Sequence, residues 1–269
     1  MSAISVAGVQ LSVAALTDPG LVRARNEDSF MADGPAFVVA DGMGGYERGD
    51  EASAAVIAAF TERLSGNRFG EFSEVSAALI DADDSVALVA QGTARGAGST
   101  ATGAVLVSDD GRPHWLIFNV GDSRVYVHRG SQLWQVTVDH SLARELIDAG
   151  ELAVEDLENF RDRGVITRAF GTRDSSADSW LLPVVNGQRL LLCSDGLYNE
   201  VDDESIRAVL TMNGRPEAVA EVLIGRAKAH GGRDNITVVV VDVLSGGMAP
   251  GDHPSGTFSS PDVEDTVTV

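Results

Sequence analysis

Short runs of apolar and β-branched residues recur along the chain and predict β-strands. The predicted strands are 36–41, 102–108, 114–120, 123–128, 132–137, 189–194 and 236–243. The run at 236–243 is continuously apolar, which indicates a strand covered on both faces. In 123–128 valines alternate with polar and aromatic residues, which predicts one solvent-facing side. Gly121 and Asp122 separate 114–120 from 123–128, and this dipeptide predicts a tight hairpin between the two strands.

Apolar residues spaced three or four positions apart predict helices elsewhere in the chain. The predicted helices are 48–64, 73–90, 141–149 and 216–229. Ser73 is the expected N-cap of the second long helix, and Pro216 suits the first position of the last one. Strands come in consecutive runs instead of alternating with helices. This order favours an α+β fold with antiparallel sheets and helices on the outer faces.

Two segments lack the pattern of a packed core. Residues 141–178 are dense in charge and weak in apolar periodicity beyond the short helix, which predicts a surface flap. From 245 to 269 small and turn-forming residues dominate and neither Lys nor Arg occurs, which predicts a disordered acidic tail. We therefore expect one folded domain over 1–244.

The overall charge narrows the classes of partner. The 269 residues carry a formal net charge of −20, which argues against a nucleic-acid partner because phosphate backbones call for basic patches.

Cys193 is the only cysteine, so neither an internal disulfide nor a cysteine-based zinc site is available. The start of the chain lacks a basic signal-peptide region, and no apolar run reaches the ~20 residues of a membrane span. We expect a cytoplasmic protein without a membrane partner.

Five short stretches place an Asp at a strand end or in a tight turn, usually beside Gly. The stretches are NEDS (26–29), ADGMGG (40–45), NVGDSR (119–124), CSDGL (193–197) and GGRDN (231–235). Each has an ordinary interpretation, because Asp and Gly are common turn residues. Together they also suit a cation site, since hard divalent ions prefer carboxylate and carbonyl oxygens and glycine lets the backbone approach closely. Two carboxylates ~4 Å apart repel by roughly 4 kcal/mol at an effective dielectric near 20, so a real cluster would need cations. Spacing alone leaves both interpretations open.

Eight motifs, taken in order, resemble one known family. They are VRARNEDSF, VVADGMGG, GSTATGAVL, NVGDSRVYVHRG, VTVDHSL, VITRAFGT, LLLCSDGLYNEV and GGRDNITVVVV. This ordered set is similar to the bacterial branch of the PPM family, the metal-dependent serine/threonine protein phosphatases also called protein phosphatase 2C. The resemblance covers about residues 13 to 243. It implies a four-layer sandwich of two central antiparallel β-sheets flanked by pairs of α-helices, with a flap segment.

The resemblance also implies a metal centre. It would hold two Mn²⁺ or Mg²⁺ ions, and a third ion as in bacterial members. The implied metal ligands are Glu27, Asp28, Asp41, Gly42, Asp122, Asp195 and Asp234. Asp41 would bridge two ions, Gly42 would offer its carbonyl oxygen, and Asp122 with Asp195 would hold the third ion. Glu27 and Asp28 would act directly or through water.

The implied reaction is hydrolysis of phosphoserine or phosphothreonine in proteins. A metal-bridging hydroxide would attack phosphorus directly, with Asp41 and Arg23 as the catalytic residues. Arg23 would bind the substrate phosphate. The implied partners are phosphorylated proteins, among them a cognate Ser/Thr kinase and its substrates, and we expect a monomer.

Several positions depart from the family pattern or invite a second interpretation. Met43 stands where eukaryotic relatives often carry His, and Asn199 where many carry Asp. We expect His140 to be structural, and Arg124 and Arg233 to form salt bridges or packing contacts more than phosphate contacts. Two rival hypotheses are an inactive module of the same fold that binds phosphoproteins, and a metal-dependent nuclease. The complete set of aspartates argues against the first, and the acidic balance against the second.

Overall fold

The computed structural model describes residues 2–43, 48–212 and 214–250. The strands are β1 (Ser2–Val6), β2 (Val9–Asp18), β3 (Asp28–Asp33), β4 (Ala36–Asp41), β5 (Ala101–Asp109), β6 (Arg112–Val120), β7 (Arg124–Arg129), β8 (Gln132–Gln135), β9 (Asp178–Pro183), β10 (Arg189–Cys193) and β11 (Ile236–Ser245). The α-helices are α1 (Gly49–Arg63), α2 (Phe72–Ala90), α3 (Leu142–Asp148), α4 (Asp195–Tyr198), α5 (Asp203–Met212) and α6 (Pro216–His230), and a 3₁₀ helix covers Val154–Asn159.

Two antiparallel sheets form the centre of the fold. The six-stranded sheet has the order β1-β2-β11-β10-β7-β8, and the five-stranded sheet has the order β3-β4-β5-β6-β9. Helices α1 and α2 pack on each other and against the five-stranded sheet, while α6 packs on the six-stranded sheet with α5 beside it. The predicted four-layer sandwich is therefore confirmed.

Three apolar cores lie between these four layers. The central core, between the sheets, contains Phe37, Trp115 and Val239, all fully buried. Val238, the neighbour of Val239 on β11, points the other way into the core beneath α5 and α6. Because neighbours on a strand face opposite sides, β11 is buried on both faces, as its continuous apolar run predicted. Burial of each such valine contributes about 1.5 kcal/mol or more.

The sequence located all the strands with continuous apolar runs but missed others. The unpredicted elements are β1, β2, β3, β9, α4, α5 and the 3₁₀ helix. Strand β3 begins and ends with aspartate, so its sequence carries turn signals at both ends. Strand β2 is exposed over its last residues, which weakens its apolar pattern.

The hairpin predicted at Gly121 and Asp122 is wrong. Strand β6 pairs with β5 and β9 in one sheet, whereas β7 pairs with β8 and β10 in the other. The dipeptide therefore carries the chain from one sheet to the next. The short-range turn signal describes the reversal of direction but not the choice of pairing partner.

The solvent-facing side predicted for 123–128 is also wrong. Tyr126 is fully buried and His128 is nearly so. The Tyr126 hydroxyl donates to Asp203 at 3.0 Å, and a His128 ring nitrogen lies 3.0 Å from the Thr211 hydroxyl. Both partners belong to α5, so the unpredicted helix covers this face.

Helix α2 begins earlier than predicted. Glu71, not Ser73, is its N-cap, and Glu71 and Glu74 form a reciprocal capping box. In the predicted flap, α3 begins after its N-cap Ser141. An isolated antiparallel bridge joins Ser141 to Ile166.

The first residues of the predicted tail form hydrogen bonds with the folded domain. Met248 donates to Val184 and accepts from Asn186, and Gly247 donates to the Asn186 side chain. The rest of the predicted tail, 251–269, lies outside the described residues. Within the ranges described, none of the helices is both long enough and apolar enough to span a membrane.

Candidate active site

Distant parts of the chain meet at one pocket of about 210 Å³. Its lining consists of Arg23, Glu27, Asp41, Gly42, Met43, Asp122, Gly164, Ile166, Asp195 and Asp234. The structure thus brings together every residue predicted for the metal and phosphate site except Asp28. Asp28 does not line the pocket but lies opposite Asp41 in the β3–β4 pairing.

The strand ends explain the convergence. Asp28 begins β3 and Asp41 ends β4, which places them at the same end of an antiparallel pair. Asp122 lies in the crossover after β6, Asp195 follows β10, and Asp234 precedes β11. All five carboxylates therefore leave the sandwich at one edge.

A threonine fixes the Asp41 backbone. The Asp41 amide donates to Thr100 Oγ1 at 3.2 Å, and the Thr100 amide donates to the Asp41 carbonyl at 2.9 Å. Ser99 Oγ donates to that carbonyl at 3.1 Å. Thr100 Oγ1 also lies 3.0 Å from Ser123 Oγ. One buried side chain thus ties the end of β4 to the turn that carries Asp122.

Asp28 is held on one side only. Its Oδ2 accepts from Ser194 Oγ at 2.8 Å and from Thr237 Oγ1 at 2.7 Å. Its Oδ1 is buried without a hydrogen-bond partner of ordinary geometry, although the Asp41 carboxyl is a neighbour. Buried polar atoms are normally satisfied, so this oxygen suits a cation or a cation-bound water.

Burial and mutual repulsion raise the pKa values of the clustered carboxyls. Desolvation is the main cause for all four aspartates, of which Asp28 and Asp122 are buried and Asp41 and Asp195 half-buried. The pKa of Asp28 rises to about 6 and that of Asp122 to about 7, with Asp139 the next cause for Asp122. The pKa values of Asp41 and Asp195 lie well above the usual range, raised further by neighbouring aspartates.

The donor chemistry fits hard divalent cations. Buried carboxylates are tolerated as anions only when a positive charge compensates them, and Mg²⁺ and its relatives bind carboxylate and carbonyl oxygens. Among the described residues, no three His, Cys, Asp or Glu side chains are grouped closely enough to hold a metal ion as they stand. The carboxylates instead border an open pocket, with room for water and substrate beside any ion.

The backbone at Gly42 has no space for a side chain. A Cβ there would lie 2.2 Å from the Gly49 carbonyl oxygen and 2.7 Å from that of Glu27. The Gly42 amide donates to the Glu27 carbonyl at 3.1 Å. This close approach accounts for one glycine of the motif. Gly44 and Gly45 lie outside the described residues.

Arg23 is the cation of the pocket. Its Nη2 donates to Asp234 Oδ2 at 2.6 Å, and its side chain is 44% exposed. The neighbouring carboxylates raise the Arg23 pKa, with the Asp234 hydrogen bond the largest cause. The guanidinium therefore stays charged at the pocket, with donors left for a second anion.

The two other arginines are occupied by structural partners, as expected. Arg124 forms an ion pair with Asp139 at 2.6 Å and stacks 3.6 Å above the Tyr198 ring. Arg233 forms an ion pair with Glu200 at 2.8 Å. Neither lines the pocket.

His140 also has a structural environment. Its Nδ1 accepts from the Gly121 amide at 3.1 Å, and its Nε2 lies 3.1 Å from Asp178 Oδ2. This arrangement leaves Nε2 as the protonated nitrogen. Asn199 donates to Asp195 Oδ2 at 3.1 Å, so it orients a predicted ligand.

Sequence reasoning missed the residues that hold the carboxylates. These are Thr100, Ser194 and Thr237, together with Tyr198, whose hydroxyl donates to the Asp122 carbonyl at 2.8 Å. A signal was present for Thr237, which is a polar residue inside an otherwise largely apolar strand. Hydroxyls at buried strand positions need partners, and here the partner is a site residue.

Comparison with known proteins agrees with this geometry. The family description "Protein phosphatase 2C" matches residues 23–222. The chain belongs to the protein phosphatase 2C family. It is 32% identical over 244 residues to the serine/threonine phosphatase Stp of Listeria welshimeri, covering 84% of this chain and 93% of that one.

Solved structures of family members are similar throughout. The Mycobacterium tuberculosis serine/threonine phosphatase PstP superposes with a TM-score of 0.80 at 33% identity, covering 88% of this chain and 100% of the other. A PstP catalytic domain in complex with two manganese ions gives a TM-score of 0.79 at 33% identity, covering 88% and 99%. The family resemblance and the fold inferred from the motifs are thereby confirmed.

Proposed function

We propose that this member of the protein phosphatase 2C family hydrolyses phosphoserine and phosphothreonine in proteins, using Mn²⁺ or Mg²⁺ held by its clustered carboxylates. The observation that carries the proposal is the pocket that unites Arg23 with every predicted ligand except Asp28. Arg23 and Asp234 are 211 positions apart in sequence yet are hydrogen-bonded. The related PstP catalytic domain with two manganese ions supports the choice of metal.

The proposed metal ligands are the seven residues that the sequence indicated. They are Glu27, Asp28, Asp41, Gly42, Asp122, Asp195 and Asp234. Asp41 has the central role, because it lines the pocket together with Asp122, Asp195 and Asp234 and lies opposite Asp28 in the β3–β4 pairing. Asp28, which is set back from the pocket, is suited to contact through water. Bound divalent ions would supply an activated water near neutral pH and neutralise phosphate charge.

The protein's own groups would orient the substrate. Arg23 offers planar, charge-assisted donors to the phosphate oxygens. Asp234 holds the Arg23 guanidinium at the pocket. Thr100 and Ser99 fix the Asp41 backbone, so that its carboxylate need not reorganise during the reaction.

We further propose that the physiological substrates are phosphorylated proteins, including a cognate Ser/Thr kinase and its targets. The charge of −20 gives no support to nucleic acid as a substrate. The proposed catalytic unit spans residues 1–244 and acts as a monomer.

Hydrolysis of p-nitrophenyl phosphate and of a phosphothreonine peptide tests the proposal. Both activities should require Mn²⁺ or Mg²⁺, disappear with excess EDTA and return when metal is restored. Asp41→Asn and Asp195→Asn should each lower kcat by at least a hundredfold. Asp84→Asn, an exposed acid on α2, is the matched control and should have wild-type activity.

Two results would contradict the proposal. Turnover that survives chelation would exclude the metal mechanism. Mn²⁺ binding by calorimetry without any turnover would instead favour the inactive phosphoprotein-binding module.

A further inference from the structure

A second, larger cavity opens directly from the candidate active site. It has a volume of about 700 Å³ and shares Asp122, Gly164 and Asp195 with the catalytic pocket. Its floor comes from β7, β8 and the α4–α5 region, and its roof from residues 141–164. A phosphorylated residue at the metal site would therefore have its flanking residues in this cavity, because successive residues of an extended peptide advance only ~3.3 Å.

The charges on the floor are already paired. Arg124 forms an ion pair with Asp139, and Asp139 also accepts from Gln135 at 2.7 Å. Asp203 accepts from the Tyr126 hydroxyl at 3.0 Å. These groups satisfy one another, so a ligand would gain little by replacing their contacts.

The roof carries charges of a different kind. Arg144 pairs with Asp148 at 2.9 Å, but Arg161 and Arg163 are exposed and make no hydrogen bond or ion pair with any of the described residues. Both line the cavity, and Arg163 directly precedes Gly164, which lines both spaces. The acids Glu155 and Asp156 on the same segment are exposed and do not line it.

We propose that Arg161 and Arg163 form a subsite for an anionic side chain, carboxylate or phosphate, that flanks the phosphorylated residue of the substrate. This inference rests on the proposed phosphatase function and specifies its substrate class. Guanidinium groups recognise carboxylate and phosphate through paired donors. In a chain of net charge −20, two uncommitted arginines beside a phosphate site distinguish acidic peptides from neutral ones.

Peptide kinetics with the Mn²⁺-loaded full chain test the subsite. Phosphothreonine peptides of equal length would carry alanine, glutamate or a second phosphothreonine beside the target residue, on either side. Wild type should hydrolyse the glutamate and doubly phosphorylated peptides with at least tenfold higher kcat/KM than the alanine peptide. Most of the difference should appear in KM, because the contact binds substrate and transition state alike.

The variant Arg161→Gln/Arg163→Gln should remove this preference. A partly exposed ionic contact contributes up to about fivefold in binding, so the loss should reach about tenfold or more for the two together. Hydrolysis of p-nitrophenyl phosphate, which has no flanking residue, should stay within twofold of wild type. Arg207→Gln, on α5, where Arg207 pairs with Glu204, is the matched control and should keep the preference.

The outcomes separate the two proposals. A preference for glutamate and phosphate alike, or for phosphate alone, that disappears in the double variant supports the subsite and identifies its anion. The subsite is overturned if the wild type hydrolyses p-nitrophenyl phosphate but shows no preference for peptides with an anionic flanking residue. It is equally overturned if that preference persists in the double variant. Absence of that turnover in wild type contradicts the phosphatase function itself.

Discussion

Replacement of Thr100 by valine tests how the site is held in place. Thr100 is 1% exposed, and its hydroxyl accepts from the Asp41 amide and bonds Ser123. Valine keeps the shape but has no hydroxyl. The buried Asp41 amide then lacks a partner, which costs about 1–3 kcal/mol, and loss of the Ser123 hydrogen bond costs about 1 kcal/mol. We expect the free energy of unfolding to fall by about 2–4 kcal/mol.

Thr100→Ser is the matched comparison. Serine keeps the hydroxyl and removes one methyl group, which costs about 1 kcal/mol. Urea denaturation in EDTA measures both variants without a contribution from bound metal. The kcat for p-nitrophenyl phosphate in Mn²⁺ reports on the position of Asp41, and a displacement of ~1 Å can cost a hundredfold. We expect a loss of at least tenfold for valine and less than threefold for serine.

Two results would refute this reasoning. If the free energy of unfolding of Thr100→Val differs from that of wild type by less than about 0.5 kcal/mol, which is the effect of an ordinary surface substitution, the hydroxyl does not support the Asp41 amide. If valine and serine reduce kcat equally, the methyl group and not the hydrogen bonds positions the carboxylate.

Three further substitutions test the electrostatics, packing and phosphate contact of the site. Burial raises the pKa of Asp122 from 3.8 to about 7. The metal-free fold therefore loses stability as pH rises from about 4 to 7, because the folded carboxyl must give up its proton. In EDTA at pH 8, Asp122→Asn should be more stable than wild type by up to about 4 kcal/mol. This advantage should fall below about 1 kcal/mol at pH 4, near the pKa of the unfolded carboxyl, and vanish below about pH 3, as thermal unfolding across this range would measure. Gly196→Ala would place a Cβ 2.0 Å from the Asn235 carbonyl oxygen, so the backbone must shift and urea denaturation should show a loss of about 2 kcal/mol or more. Arg23→Lys keeps the charge beside Asp234 but loses the planar fork, so kcat/KM for a phosphopeptide should fall at least tenfold.

Each substitution has a control in the same chain. Asp84→Asn on α2 should show no pH-dependent gain in stability, and equal gains would contradict the role of burial. Gly225 on α6 has no atom within 4 Å of an added Cβ, so Gly225→Ala should stabilise by about 0.5–1 kcal/mol. Arg25→Lys, at a side chain 76% exposed, should leave kcat/KM unchanged, and an equal loss would mean that the effect of Arg23→Lys is not specific to the phosphate contact.

The sequence by itself determined the elements whose pattern is local. The buried strands around Val39, Leu191 and Val239 follow from continuous apolar runs, and the long helices follow from their three- to four-residue spacing. The ordered motifs also determined the family and seven of the ten residues that line the pocket. Each of these inferences depends only on residues that are near one another in sequence or on a motif of residue types. Both can be identified without knowledge of the fold.

The tertiary structure decided which strands pair and which faces are covered. A turn at Gly121 and Asp122 reverses the chain equally well in a hairpin or between two sheets, and only the sheets fix the choice. Tyr126 is buried because α5, from a distant part of the chain, packs over it. Thr100, Ser194 and Thr237 gained their roles in the same way, since hydrogen bonds form between atoms that folding brings together and sequence separation does not restrict them. The convergence of the five aspartates at one edge is likewise a property of the sheet topology, because each strand end is local but their common location is not.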